Sequence, residues 1–147
     1  MNITDFLSEN CIIEELRGKD IKSVIEEMSA VISREINGIL KPEEISRAIL
    51  KKEKELKEEA IGGIIIPHAR FDNVSIGIKG ALGRLKNGID GIYLVFMLIG
   101  DHESADRFIR ALSLISNFFR DKKNYNSLLK ARDRKEIFEI IREKGME

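Results

Sequence analysis

Apolar positions change period twice along the chain, and those changes divide it into predicted elements. After Asp20, an N-cap candidate, Ile21, Val24, Ile25, Met28, Ile32 and Ile36 recur at helical spacing, and Asn37-Gly38 supplies the stop. Pro42, at a favoured first-turn position, opens a second helix whose stripe is Ile45, Ala48, Ile49 and Leu56. The mixed charges of KKEKELKEE at its end read as a solvated helical face. Gly62-Gly63 breaks that helix and strand period takes over. Residues 64–66 are a β-branched run, Val74, Ile76 and Ile78 alternate in a strand predicted over 74–85, and Lys86-Asn87-Gly88 marks a turn. Residues 92–99 are apolar without a break, the pattern of a central strand covered on both faces. Helical spacing returns after Gly100-Asp101-His102-Glu103, with Ala105, Phe108, Ile109, Leu112, Ile115 and Phe119 predicted to face inward. Two shorter helices follow, one over 124–130 and one from Asp133, whose spacing to Glu136 is that of a capping box. At the start, residues 4–7 predict a helical turn and Cys11-Ile12-Ile13 a short edge strand.

This order predicts an α/β fold in a three-layer arrangement, a mixed β-sheet with helices on both faces. A length of 147 residues, 43% of them hydrophobic, suits one domain spanning 1–147 with a proper core. Lys+Arg and Asp+Glu total 25 each, so the basic excess of a nucleic-acid binder is missing. Cys11 stands alone, which excludes a disulfide framework and a CxxC metal pair and fits a reducing cytoplasm. The stretch MNITDFLSENC lacks the basic start and apolar run of a signal peptide, and no segment approaches membrane-spanning length. The expected setting is cytoplasmic, without direct membrane insertion.

Candidate chemistry gathers at two histidines. His68 follows the apolar run of 64–66 and Pro67, and His102 follows that of 92–99. If those strands are parallel, both rings open on the carboxyl-end rim, where ligands bind in open α/β sheets. His102 also precedes a helix start, whose free N–H groups and dipole favour an anion such as phosphate. Imidazole is a nucleophile near neutral pH, so a histidine in such surroundings suits phosphoryl transfer. Purely structural roles fit the same residues: His68 can donate a ring N–H to a backbone carbonyl, and His102 can be a solvated loop residue between Asp101 and Glu103. A metal set would recruit His68, His102 and Asp101 or Asp72, but HxH, HxxxH and HExxH spacings are absent, and neither metal nor cofactor is expected. Gly77, Gly80 and Gly83 lie in a strand pattern that precedes no helix, so they read as bulges or close backbone packing.

Taken together, Ile64-Ile65-Ile66-Pro67-His68-Ala69-Arg70, Leu94-Val95-Phe96-Met97-Leu98 and Ala111-Leu112-Ser113-Leu114-Ile115, behind an amphipathic helix pair, resemble the type 2 enzyme IIA domain. This is the fructose/mannitol and nitrogen-regulatory class of the bacterial phosphoenolpyruvate-dependent sugar phosphotransferase system, and the resemblance covers about residues 3–141. It implies that His68 accepts a phosphoryl group from the histidine-containing phosphocarrier protein. The group then passes to an enzyme IIB domain, or its presence regulates a target protein. In that reading Arg70, His102, Lys52 and Lys54 support the phosphoryl group, and Phe71 belongs to the partner surface.

The chain also departs from the family pattern. The family's hydroxyl- and glycine-rich approach reads Glu58-Glu59-Ala60-Ile61-Gly62-Gly63, and Lys52-Glu53-Lys54 stands where an arginine is usual. Phe108 takes the position of the second active-site histidine, six residues after His102. Two carboxylates beside a dianionic phosphoryl group would repel it. The alternative is therefore a regulatory protein-binding module with this fold that has lost phosphotransfer. A metal-dependent hydrolase at the same rim is a third reading.

Overall fold

A computed structural model of the chain describes residues 1–52 and 62–147. Two 3-10 turns, Ile3–Asp5 and Glu9–Cys11, lead into strand β1 (Ile12–Ile13). Helix α1 (Ile21–Glu35) starts where the Asp20 carboxylate accepts the Ser23 N–H at 2.8 Å, and it buries Ile21, Val24, Ile25, Met28 and Ile32. Its stop falls at Asn37 and Gly38, both with positive φ. Helix α2 (Pro42–Leu50) has proline in its first turn and buries Ile45 and Ile49. Lys51 and Lys52 are exposed in the turn that follows, and the remainder of the KKEKELKEE run, with Lys54, Leu56 and Glu58-Glu59, lies outside the described residues.

Strands β2 (Ile64–Ile65) and β3 (His68–Phe71) form one interrupted edge beside β5 (Ile92–Asp101), which pairs on its other side with β4 (Ile78–Ile89). The order is β1-β4-β5-β2, with β3 continuing the line of β2 along β5. Among the described strands only the β4–β5 pair is antiparallel, so the sheet is mixed. Leu94, Val95, Phe96, Met97, Leu98 and Ile99 are all fully buried, which requires cover on both faces of β5 because successive side chains alternate. On the Phe96 face, its ring meets Phe6 and Phe119 edge to face. Helix α1 packs against β4, and α3 (Ala105–Arg120) against β5. Helices α4 (Lys122–Lys130) and α5 (Arg134–Lys144) close the chain, the latter capped where Asp133 accepts the Glu136 N–H at 2.8 Å. Among the described residues no helix is long and apolar enough to cross a membrane.

The periodic reading needs correction at several places. Strand β4 begins at Ile78 rather than Val74, because the Asp101 carboxylate takes the N–H groups of Ile76 and Gly77 before the ladder starts. It also runs through Lys86-Asn87-Gly88, with a register shift between Arg84 and Ile89, and the chain reverses at Asp90-Gly91. Their φ values of 51° and 80° are those of a tight hairpin turn, so the Asp-Gly pair was the better signal. Gly80 and Gly83 do mark close packing: a Cβ at Gly80 would lie 2.8 Å from the Phe96 ring, and one at Gly83 would meet Leu16. Ile109 is 61% exposed, whereas Phe108, Ala111, Leu114, Ile115, Phe118 and Phe119 form the buried stripe of α3. Helical spacing alone admits Ile109, but the width of the apolar stripe leaves it on the solvent side.

Candidate functional site

The sequence runs apolar to Ile66, and Pro67 then interrupts the edge strand because it has no N–H to donate. Its carbonyl still accepts the Leu98 N–H at 3.0 Å, so the line continues and His68 opens β3 instead of following a finished strand. His68 pairs with Leu98, Arg70 with Gly100 and Phe71 with Asp101. The expected place on the carboxyl-end rim thus belongs to Phe71, and His68 lies a turn of pleat further in.

Nδ1 of His68 lies 2.8 Å from the Ile66 carbonyl oxygen. A carbonyl only accepts, so Nδ1 carries the proton and Nε2 keeps its lone pair. The ring is half-buried and lines a cleft of about 940 Å³ between the β2–β3 edge, Tyr93 of β5 and helices α3 and α4. Ile66, Leu112 and Phe119 give the cleft apolar walls, while Arg120 and Lys122 bring cations to it. Gly62 and Gly63 lead into this wall with φ of 67° and 84°. Gly63 has no room for a Cβ beside Tyr125, whose hydroxyl donates to the Gly63 carbonyl at 3.1 Å.

Above His68 stands Phe108, 4% exposed, its ring centroid 6.0 Å from the imidazole. The Arg70 guanidinium lies 5.9 Å from the same centroid. Structure therefore brings His68, Arg70 and Phe108 together. It sets His102 elsewhere: its Nε2 is 2.8 Å from the Asp72 carboxylate, and both side chains are largely exposed. Leu98, the partner of His68, precedes His102 by four residues, roughly 13 Å along a strand. The two rings do not share one site, because the parallel register offsets them. Lys52 is exposed beyond α2, and Phe71 is half-buried against the core.

The helix start near His102 is already occupied by an anion of the chain itself. Asp101, 3% exposed, accepts N–H groups from Ser104 at 2.9 Å, Ile76 at 2.8 Å and Gly77 at 2.7 Å. Hydrogen bonding from Ser104 first, then the backbone N–H groups of Gly77, Ile76 and Ser104, holds its carboxyl below the usual range against the opposing effect of burial. The tight pairing Asp101-x-x-Ser104 was legible as an N-cap signal; the reach back to Ile76 and Gly77 was not. Among the described residues no group of three or more His, Cys, Asp or Glu is gathered to hold a metal ion.

A half-buried imidazole with a fixed tautomer on a mixed, helix-covered sheet defines a histidine-centred α/β domain. The chain belongs to the phosphoenolpyruvate-dependent sugar phosphotransferase system EIIA 2 family, whose model matches residues 5–144. It is 25% identical to a nitrogen regulatory protein of Klebsiella oxytoca over 99% of this chain and 93% of that one. With that of Escherichia coli the identity is 24%, covering 96% and 90%. Among solved structures, the nitrogen regulatory protein IIA-Ntr of Neisseria meningitidis superposes with a TM-score of 0.80 at 23% identity, over 95% of this chain and 98% of that one. IIA mannitol of Escherichia coli gives 0.70 at 17%, over 90% and 96%. These likenesses establish the fold as that of the IIA-Ntr and IIA mannitol proteins.

Proposed function

We propose that the chain is a phosphoryl carrier whose acceptor is Nε2 of His68. The donor is the phosphohistidine of the histidine-containing phosphocarrier protein. The Nε2 lone pair forms the new N–P bond as the donor's N–P bond breaks, and that electron pair returns to the donor ring. The observation that carries this reading is the bond from His68 Nδ1 to the Ile66 carbonyl. In the neutral ring it places the proton on Nδ1, so that the lone pair sits on Nε2. After transfer the ring is cationic, and a charge-assisted bond of this kind is worth about 1.5–3 kcal/mol. The phosphoryl group then passes to an enzyme IIB domain or, as similarity to nitrogen regulatory proteins favours, its presence is read by a regulated target protein.

Arg70 supports the transferred group, with Lys52 and Lys54, which follow α2 in the sequence, as further cations. Phe71, half-buried at the end of β3, supplies the apolar part of a small transient partner surface. Phe71→Ala is expected to raise the KM for the phosphorylated donor several-fold with little change in kcat. The carrier reading is tested by incubating the protein with phosphoenolpyruvate, enzyme I and the phosphocarrier protein and measuring acid-labile label. Label on the wild type that disappears in His68→Ala supports it. No label with a cognate donor and an intact fold selects the other reading, a regulatory module without phosphotransfer, for which the purely apolar Phe108 beside His68 speaks.

A further inference from the structure

The face of β3 that carries His68 carries Arg70 as well, because strand side chains alternate with a period of two. Both meet the same ring, that of Phe108: the imidazole is tilted 55° to it at 6.0 Å, and the guanidinium carbon lies 5.9 Å from its centroid. Phe108 is fixed, being 4% exposed and seated over Gly100, where an added Cβ would lie 2.7 Å from its ring. Arg70, by contrast, is exposed. Among the described residues no carboxylate pairs with Arg70.

We propose that Phe108 is a positioning residue that holds the Arg70 guanidinium beside Nε2 of His68, and that Arg70 is the charged donor to the phosphoryl oxygens. The assignment rests on the carrier reading given above. Transfer brings a dianionic group onto His68. A guanidinium stays cationic at every working pH and offers a planar fork of N–H donors to such oxygens. An aromatic face holds that cation without neutralising it, whereas a carboxylate partner would compete with the incoming phosphoryl group. Phe108 therefore does through Arg70 what a hydrogen-bonding side chain at its position would do directly.

The test is a double-mutant cycle on the rate of label transfer from the phosphocarrier protein. Arg70 is exposed, so Arg70→Ala leaves the fold intact and is expected to slow labelling about tenfold or more. Phe108→Leu keeps an apolar side chain but removes the aromatic face, and should slow labelling about three- to fivefold. Phe108→Tyr, which keeps the aromatic face at nearly the same size, should keep the wild-type rate. In the Arg70→Ala background, Phe108→Leu should change the rate less than about twofold. Labelling of Arg70→Ala at the wild-type rate overturns the assignment, as does an undiminished effect of Phe108→Leu without Arg70. A wild type that takes no label overturns the carrier reading itself, a different result from either.

Discussion

His68 and His102 each follow an apolar run, yet they sit in opposite kinds of surroundings. His68 is half-buried, tied by Nδ1 to the Ile66 carbonyl and packed against Phe108, on the wall of a large cleft. His102 is exposed after β5 and faces the still more exposed Asp72. A neutral acceptor fixes the first ring's tautomer and leaves one nitrogen free; a carboxylate engages the second ring's outer nitrogen. The difference arises from register. Because β3 runs parallel to β5 with His68 beside Leu98, the two rings are offset along the sheet. Following a strand thus does not fix a histidine's surroundings; the register of the strand decides which partners and walls its ring meets.

The strongest way to break this comparison is to exchange the roles. His68→Ala is expected to abolish acid-labile phosphorylation, and His102→Ala to leave its rate within about twofold, since among the described residues His102 pairs with Asp72 while His68 meets Ile66 and Phe108. Label that persists in His68→Ala and disappears in His102→Ala would reverse the assignment. Radiolabel transfer followed by peptide mapping distinguishes the two.

Asp101 separates the two regions and sets up a large stability effect. Its carboxylate accepts three backbone N–H groups in a buried place, and Asp101→Asn turns an amide donor toward some of them. A loss of about 2–4 kcal/mol at neutral pH is expected in urea unfolding. The pH dependence has a definite sign. The folded carboxyl lies below its ordinary value, so the stabilisation is complete above about pH 4 and is lost as pH falls through the folded value. The gap between wild type and Asp101→Asn should therefore narrow in acid; a gap that widens there contradicts the assigned cause.

Gly100 belongs to the His68 side. Alanine in a strand would ordinarily gain about 0.5–1 kcal/mol over glycine. Here the new methyl would sit 2.7 Å from Phe108 and 3.2 Å from Ile78, neither of them free to move. Overpacking wins, with a net loss of about 1–3 kcal/mol. Because displacement of Phe108 reaches both His68 and Arg70, Gly100→Ala should also slow labelling, whereas Gly80→Ala, which meets Phe96 instead, should destabilise without that effect.

Most of the architecture was legible because it rests on period. The stripe of α1, the caps at Asp20 and Asp133, the proline start of α2 and the central strand at 92–99 all follow from local spacing. What was not legible depends on contacts distant in sequence. Nothing in the alternation of Val74 and Ile76 reveals that the Asp101 carboxylate reaches back to Ile76 and Gly77. Nothing in the spacing of Ile109 says that α3 buries only a narrow stripe. At the candidate site, the motif around His68 singled out the residue, and alignment on Ala111-Leu112-Ser113 placed Phe108 near it. The offset of His102 could not be read, because a shift of register in a parallel pair leaves no local mark.

The smallest effect is expected on the exposed side of the comparison. Asp72 and His102 approach to 2.8 Å, but their side chains are 77% and 50% exposed. Water screens such a pair, and ordering two surface side chains offsets much of the attraction, so exposed pairs contribute about 0–1 kcal/mol. The pair also bridges the loop after β3 to the turn before α3, a link that the Asp101 carboxylate already makes through two hydrogen bonds, from Ile76 and Gly77. Asp72→Asn should therefore shift the urea midpoint by no more than the equivalent of about 0.5 kcal/mol and leave labelling of His68 unchanged. A loss above about 2 kcal/mol, or a labelling rate that falls with it, would mean that the two histidines are coupled through this loop and that the contrast between them is weaker than their geometry implies.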